Sequence, residues 1–226
     1  MGISAMAESY STVALSYDYT EMKANHRSLL TKFGYEGKDK KGAFNGLGVQ
    51  YNYGIGISNL PMNVEVGLKF NVGFLGKTLN SPGSQTTDNS MLMRLSVPVS
   101  YIYHFNFKKV TVSPYAGLDF RFNLLAQTKS TTTTFIYNGE TEKYEVEKSD
   151  PVTKSYFSKE DVANETANRF QAGWHLGVRV GFGSYFVGIE GGTDFNPFWN
   201  VNKGEGKINK DKITTGNLAV SVGYKF

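Results

Sequence analysis

Residues Thr214–Phe226 read TTGNLAVSVGYKF, and they alternate without a break. Leu218, Val220, Val222, Tyr224 and Phe226 fall on one face of an extended chain. Asn217, Ala219, Ser221, Gly223 and Lys225 fall on the other. Chain ends fray unless something pairs with them, so a strand with an aromatic cap in this position predicts that the segment is locked into a sheet. One face is bulky and apolar, the other small and polar. The same two-faced pattern recurs in seven earlier segments, and the eight together predict one closed barrel.

Working outward from that segment, strands are expected near 9–20, 43–57, 62–75, 90–105, 109–125, 169–182, 185–195 and 214–226. In the second, Leu47, Val49, Tyr51, Tyr53 and Ile55 oppose Gly46, Gly48, Gln50, Asn52 and Gly54. In the third, Val64, Val66, Leu68, Phe70, Val72 and Phe74 oppose Asn63, Glu65, Gly67, Lys69, Asn71 and Gly73. Three connections are short: 58–61, Asn106–Lys109 and Gly183-Ser184. Four are long, at about 21–42, 76–89, 126–168 and 196–213, and short and long alternate. Pairing Ile57 with Met62, Phe105 with Val110 and Phe182 with Tyr185 keeps the apolar faces of each hairpin on one side. Within the longest connection, TTTTFIY (131–137), Asn138-Gly139 and KYEVE (143–147) predict a hairpin with a type I′ turn. Residues 158–169 predict a short helix opened by Ser158 and Asp161.

The fold class is therefore all-β: an antiparallel up-and-down meander of eight strands, read as a single domain over 1–226. No segment approaches the ~20 apolar residues of a membrane helix, but alternation hides a membrane barrel from such a search. Mean hydropathy is −0.33. A soluble barrel with its apolar face inward would turn its polar face to water, and that face should then carry Lys, Glu and Thr. Here it carries Gly, Ser and Asn, which suit the narrow lumen of eight strands. An even strand number lets the first and last strands close, leaving no edge in lipid. Aromatic residues gather at both rims: Tyr103, Phe105, Phe182, Tyr185, Tyr224 and Phe226 at the short-turn end, and Tyr17, Tyr19, Phe70, Phe74, Phe120, Phe122, Phe170 and Phe195 at the other. Trp174 falls between the two girdles.

Other functional classes find little support. There are no cysteines, so disulfides, thiolate metal sites and a cysteine nucleophile are excluded. The net charge of +4 is spread too thinly to point to nucleic acid. No two of His26, His104 and His175 share a strand face at ligand spacing, so neither a metal site nor any other cofactor is expected. Residues 1–20 show no basic start or apolar core, so no signal peptide is read there.

Eight charged side chains point to the lumen: Glu65, Lys69, Arg94, Asp119, Arg121, His175, Arg179 and Glu190. Buried charges need partners, so they are expected to form a polar plug rather than line an open pore. The assumed pairings place Glu190 opposite Gly177, within reach of His175 and Arg179. They also place Arg94 opposite Arg121, with Asp119 between them. The connection at 21–42 carries six Lys/Arg against three acids, and that at 196–213 four against two. Such loops could meet the phosphates of lipopolysaccharide. The connection at 126–168 carries five Lys/Arg against eight acids.

On strand count, loop alternation and the aromatic end at Phe226, the sequence resembles the small eight-stranded outer-membrane barrels of the OmpX and OmpA-transmembrane-domain kind. The resemblance implies a multi-pass location in a bacterial outer membrane, with both termini periplasmic. It makes Val222, Tyr224 and Phe226 similar to the signal read by the barrel-assembly machinery. It does not supply an activity. The functional expectation is a non-enzymatic protein that binds through surface loops or joins a larger outer-membrane assembly. A narrow solute channel and a lipid-modifying enzyme are the alternatives.

Overall fold

The computed structural model describes residues 8–24, 41–57, 60–158, 165–201 and 212–226. Eight strands close in chain order: β1 (Tyr10–Ala24), β2 (Lys41–Gly56), β3 (Met62–Ser81), β4 (Ser84–Tyr103), β6 (Val110–Asn138), β10 (Phe170–Phe182), β11 (Tyr185–Asp194) and β13 (Lys212–Lys225). β5 (Phe105–Phe107) prolongs β4 beside β6. Antiparallel pairing of β1 with β13, from Thr12 with Lys225 to Ala24 with Ile213, seals the barrel. Four short strands lie beyond it: β7 (Lys143–Lys148), β8 (Val152–Ser155), β9 (Glu165–Ala167) and β12 (Trp199–Val201).

The apolar positions face outward. Leu15, Leu47, Val49, Leu68, Leu118, Leu176, Ile189 and Val220 are exposed, whereas Thr12, Ser16, Asp18, Asn52 and Glu65 are buried. A belt of this kind belongs in lipid. Phe170 and Phe182 bound it on β10. At about 3.3 Å per residue and a tilt of ~40°, their separation spans roughly 30 Å, the depth of a bilayer core. Rim aromatics touch one another: Tyr185 and Tyr224 lie 5.2 Å apart, and Phe122 and Phe170 5.3 Å. Trp174 sits in the belt away from both rims, and the girdle rule does not account for it.

Several expectations need correction. Residues 76–89 are not a loop: β3 and β4 run on to Ser81 and Ser84 and join through Pro82-Gly83. Gly83 supplies the positive φ (76°) that a Pro-Gly turn requires at its second position. Beyond the membrane both sheet faces meet water, so the chain stays extended while its apolar alternation disappears. The turn after β5 is two residues, Lys108-Lys109, with Lys108 left-handed (φ 48°). Phe105 therefore pairs with Val112, not Val110, and Arg94 lies opposite Asn123, not Arg121. The slip of two residues preserves which face is which.

The hairpin at 131–148 forms, but Asn138 pairs with Lys143 across four residues, not through a type I′ turn. Asn138 Oδ1 accepts the amides of Glu140 and Thr141, and Glu142 takes the left-handed conformation (φ 52°). The helix expected over 158–169 is replaced at 165–167 by strand β9; residues 159–164 lie outside the described part. So do 25–40 and 202–211, which hold most of the basic loop residues.

A bulge between Met93 and Arg94 adds one residue to β6. Leu124 and Leu125 consequently both avoid the lumen, and the inward phase passes from Asn123 to Ala126 and Thr128.

Candidate functional site

The lumen is packed in layers. Near the short-turn end, Glu65 Oε1 accepts from Tyr10 Oη (2.6 Å) and Arg179 Nη1 (2.7 Å). The Arg179 guanidinium also lies over Tyr115 (4.7 Å) and Phe186 (5.4 Å). Below this layer the lumen widens into a recess of about 830 Å³ that reaches His104, Asn63 and Lys225. His104 is held by Ser113 (2.8 Å) and Asn63 (3.0 Å). In the middle, Lys69 Nζ binds Asp18 Oδ1 at 2.5 Å. Arg121 bridges Asp119 and Asp194, and Asp194 also takes bonds from Thr215 and from Gln171 (3.1 Å). Spaces of about 10 and 20 Å³ lie among these groups.

All eight lumen charges named from the sequence point inward, but they do not form one cluster. Glu65 joins Arg179, and Asp119 joins Arg121 and His175. Lys69 joins Asp18 instead of any of the eight. Arg94 has no carboxylate within 4 Å among the described residues and donates to Thr20 Oγ1 and Asn217 Oδ1. Glu190 does lie opposite Gly177, yet it turns to neither His175 nor Arg179. It accepts from Tyr115 Oη (3.1 Å), because the Tyr115 ring fills the space that Gly177 leaves.

Sequence reasoning missed Tyr115, Tyr10, Asp194, Gln171 and Thr215. Asp194 was accessible, since it continues the inward phase of Glu190 and Gly192. Tyr115 was as well, being in phase with Ser113 and Gly117, but nothing in the order of residues marks its ring as the partner of Glu190.

One constellation has a catalytic outline. Ser100 Oγ lies 2.7 Å from His175 Nε2, and His175 Nδ1 lies 3.0 Å from Asp119 Oδ2. Those are nucleophile–base–orienter spacings. A hydrolase also needs room for an acyl group and donors for its oxyanion. Ser100 is 5% exposed, His175 is 2% exposed, and none of the cavities described above reaches Ser100. Ser100 and His175 link β4 to β10 over the intervening β6, along one wall of the lumen.

The loop end is closed by apolar side chains, which the expectation of a wholly polar plug did not foresee. Met22, Phe44, Leu92, Ala126 and Ile213 from the barrel pack with Tyr156, Ala167, Phe198 and Trp199. β12 pairs with β13 and β9 to carry Trp199 across the opening, and Tyr156 stacks edge-on against it at 5.6 Å.

Beyond that plug, β3, β4, β6 and β7–β8 continue as a projecting sheet. Cross-strand side-chain bonds support it, Thr86–Thr132 (3.2 Å) and Gln85–Asn80 (2.9 Å) among them. On its outer face the polar residues Gln127, Lys129, Thr131 and Thr133 follow the lipid belt. After them an apolar patch reappears at the tip: Phe135 pairs with Val146 and Tyr137 with Tyr144. Tyr144 is 70% exposed and Val146 64%. No described residue pairs with the outer edge of β7.

No family model and no curated protein matches the sequence. Similar solved structures are barrels. The attachment invasion locus protein Ail of Yersinia pestis is 13% identical over 97% of this chain and 100% of that one, with a TM-score of 0.41. Neisserial surface protein A is 14% identical over 96% and 97%, with a TM-score of 0.39. The N-terminal barrel domain of Pseudomonas aeruginosa OprF is 10% identical over 94% and 97%, with a TM-score of 0.30. By its own strand pairing the chain is an eight-stranded antiparallel up-and-down β-barrel, similar in kind to these small outer-membrane barrels.

Proposed function

We propose that the chain is a non-enzymatic, integral outer-membrane barrel that binds through the sheet it raises above the membrane. The observation that supports this is a contrast. The middle of the lumen is packed with hydrogen-bonded charges and its loop end is capped by an apolar cluster, while the projecting sheet keeps an open edge and an uncovered aromatic patch. Exposed segments on a rigid scaffold are where binding is usually carried. In this reading the short-turn end and both termini are periplasmic, lipopolysaccharide surrounds the loop end, and no cofactor takes part. Val222, Tyr224 and Phe226 serve the assembly machinery.

Ser149 N donates to Thr132 O at 2.8 Å, so an Asn-Gly link between these two residues would excise Thr133–Lys148 and leave the ladder below intact. Vesicles carrying the trimmed barrel should insert it normally yet fail to adhere to outer-membrane vesicles from cells lacking this protein, to which the intact protein adheres. Equal adhesion would remove the hairpin from the function. Steady single-channel conductance by the intact protein in planar bilayers would favour the solute-channel alternative.

A further inference from the structure

We propose that the partner of the projecting edge includes a second copy of this chain, anchored in an opposing membrane and paired antiparallel through β7. The proposal rests on the binding role proposed above for the projecting sheet and gives that sheet a specific occupant.

Backbone direction comes first. The Ser149–Thr132 bond sets the phase of the β6–β7 ladder, so the hydrogen-bonded pairs are Thr134 with Glu147, Ile136 with Glu145 and Asn138 with Lys143. The N–H and C=O groups of Tyr144, Val146 and Lys148 therefore point away from β6, along the unpaired edge. An exposed edge of this kind is a template for another strand.

The sequence along the edge selects what can pair with it. β7 reads Lys143-Tyr144-Glu145-Val146-Glu147-Lys148, which is close to a charge palindrome. An antiparallel copy centred on Glu145 sets Lys143 against Glu147 twice and Tyr144 against Val146 twice. Its hydrogen-bonded pairs then use the residues whose backbone groups face the edge. The one like-charge meeting, Glu145 with itself, is eased because Asn138 Nδ2 holds Glu145 Oε1 at 2.6 Å, back over its own sheet. Shifting the register to centre on Val146 replaces the ion pairs with two Glu145–Glu147 repulsions. A parallel, in-register copy stacks Lys on Lys and Glu on Glu. The centred antiparallel register also joins the two patches of Phe135, Tyr137, Tyr144 and Val146 into one apolar surface.

Direction then fixes the location of the partner. β6 rises from the barrel to the tip and β7 descends. An antiparallel β7 must ascend, so its barrel lies beyond the tip, in a facing membrane. Two copies in one membrane would present parallel β7 strands, the arrangement that the charges oppose.

The test uses phospholipid vesicles carrying the full chain, with clustering followed by light scattering and barrel folding checked by gel mobility. Wild-type vesicles should cluster. Lys143→Glu and Glu147→Lys should each slow self-clustering by about tenfold, since two exposed ion pairs become repulsions. An equimolar mixture of the two variants should regain it, because each supplies the charges that the other lacks. Val146→Pro should abolish clustering without unfolding the barrel, as it removes an edge donor that β6 does not use. Variants that cluster like wild type, or a mixture no better than either alone, would overturn the proposal. Wild-type vesicles that ignore each other but adhere to outer-membrane vesicles lacking the chain would overturn self-pairing and leave the binding role standing. If they adhere to neither, both readings fall.

Discussion

Removing the charge of Glu65 offers the clearest test of the lumen. Glu65 is 2% exposed, and its Oε1 is the carboxylate oxygen that Arg179 binds, at 2.7 Å. Glu65→Gln keeps an acceptor for Tyr10 but leaves the guanidinium without a counter-charge. Two unit charges at roughly 4 Å attract by about 4 kcal/mol at an effective dielectric constant of about 20. Stacking of Arg179 on Tyr115 and Phe186 is present with or without the carboxylate and leaves the balance unchanged. The expected loss is therefore about 4 kcal/mol, within what stranding a buried charge usually costs. The assay is urea unfolding in lipid vesicles, followed by tryptophan emission and by gel mobility. Glu190→Gln is the comparison, because its recorded partner is the neutral Tyr115 hydroxyl and its loss should be about 1 kcal/mol. Adding Arg179→Met to Glu65→Gln should restore most of the stability by removing the stranded cation. Equal losses for the two single variants, or a double variant no better than Glu65→Gln alone, would refute the reasoning.

Other outcomes follow from the same packing. Gly177→Ala should cost about 1–3 kcal/mol by displacing the Tyr115 ring, while Gly191→Ala, whose nearest neighbours would lie 3.7 Å from the added carbon, should be close to neutral in the same unfolding assay. Trp199→Ala should cost about 3–5 kcal/mol yet leave planar bilayers non-conducting, because the charged layers below the plug stay packed. Phe226→Ala should lower outer-membrane levels in cells more than Phe70→Ala, since Phe226 would serve recognition as well as burial; equal levels would argue against that role.

The barrel was legible because lipid and lumen impose opposite chemistry on alternate residues, and Leu47–Ile55 against Gly46–Gly54 records it directly. That record stops where the membrane stops. Thr78, Thr87 and Thr132 are strand residues with water on both sides, so nothing in their order separates them from a loop. The pairing of Arg94 failed for another reason. Turn length at Lys108-Lys109 depends on one lysine adopting a left-handed conformation, and a two-residue slip leaves the hydropathy pattern unchanged. The charged lumen residues could be named, but their partners depend on the register between strands distant in sequence, and the apolar plug depends on β9 and β12, which carry no alternation of their own.

The closure by β13 has a consequence for how the barrel is made. The staves between β1 and β13 each bond to the staves before and after them in the chain, so those pairings join neighbours in sequence. β13 alone bonds to both β11 and β1, and its pairing with β1 spans some two hundred residues of sequence. Ring closure is therefore the slowest entropic step, and a single segment decides it. A chain stalled before Lys212 would hold two open edges, and hydrocarbon gives such edges no partner. Insertion should thus be nearly all-or-none, and half-made barrels should remain outside the bilayer, where proteases can remove them.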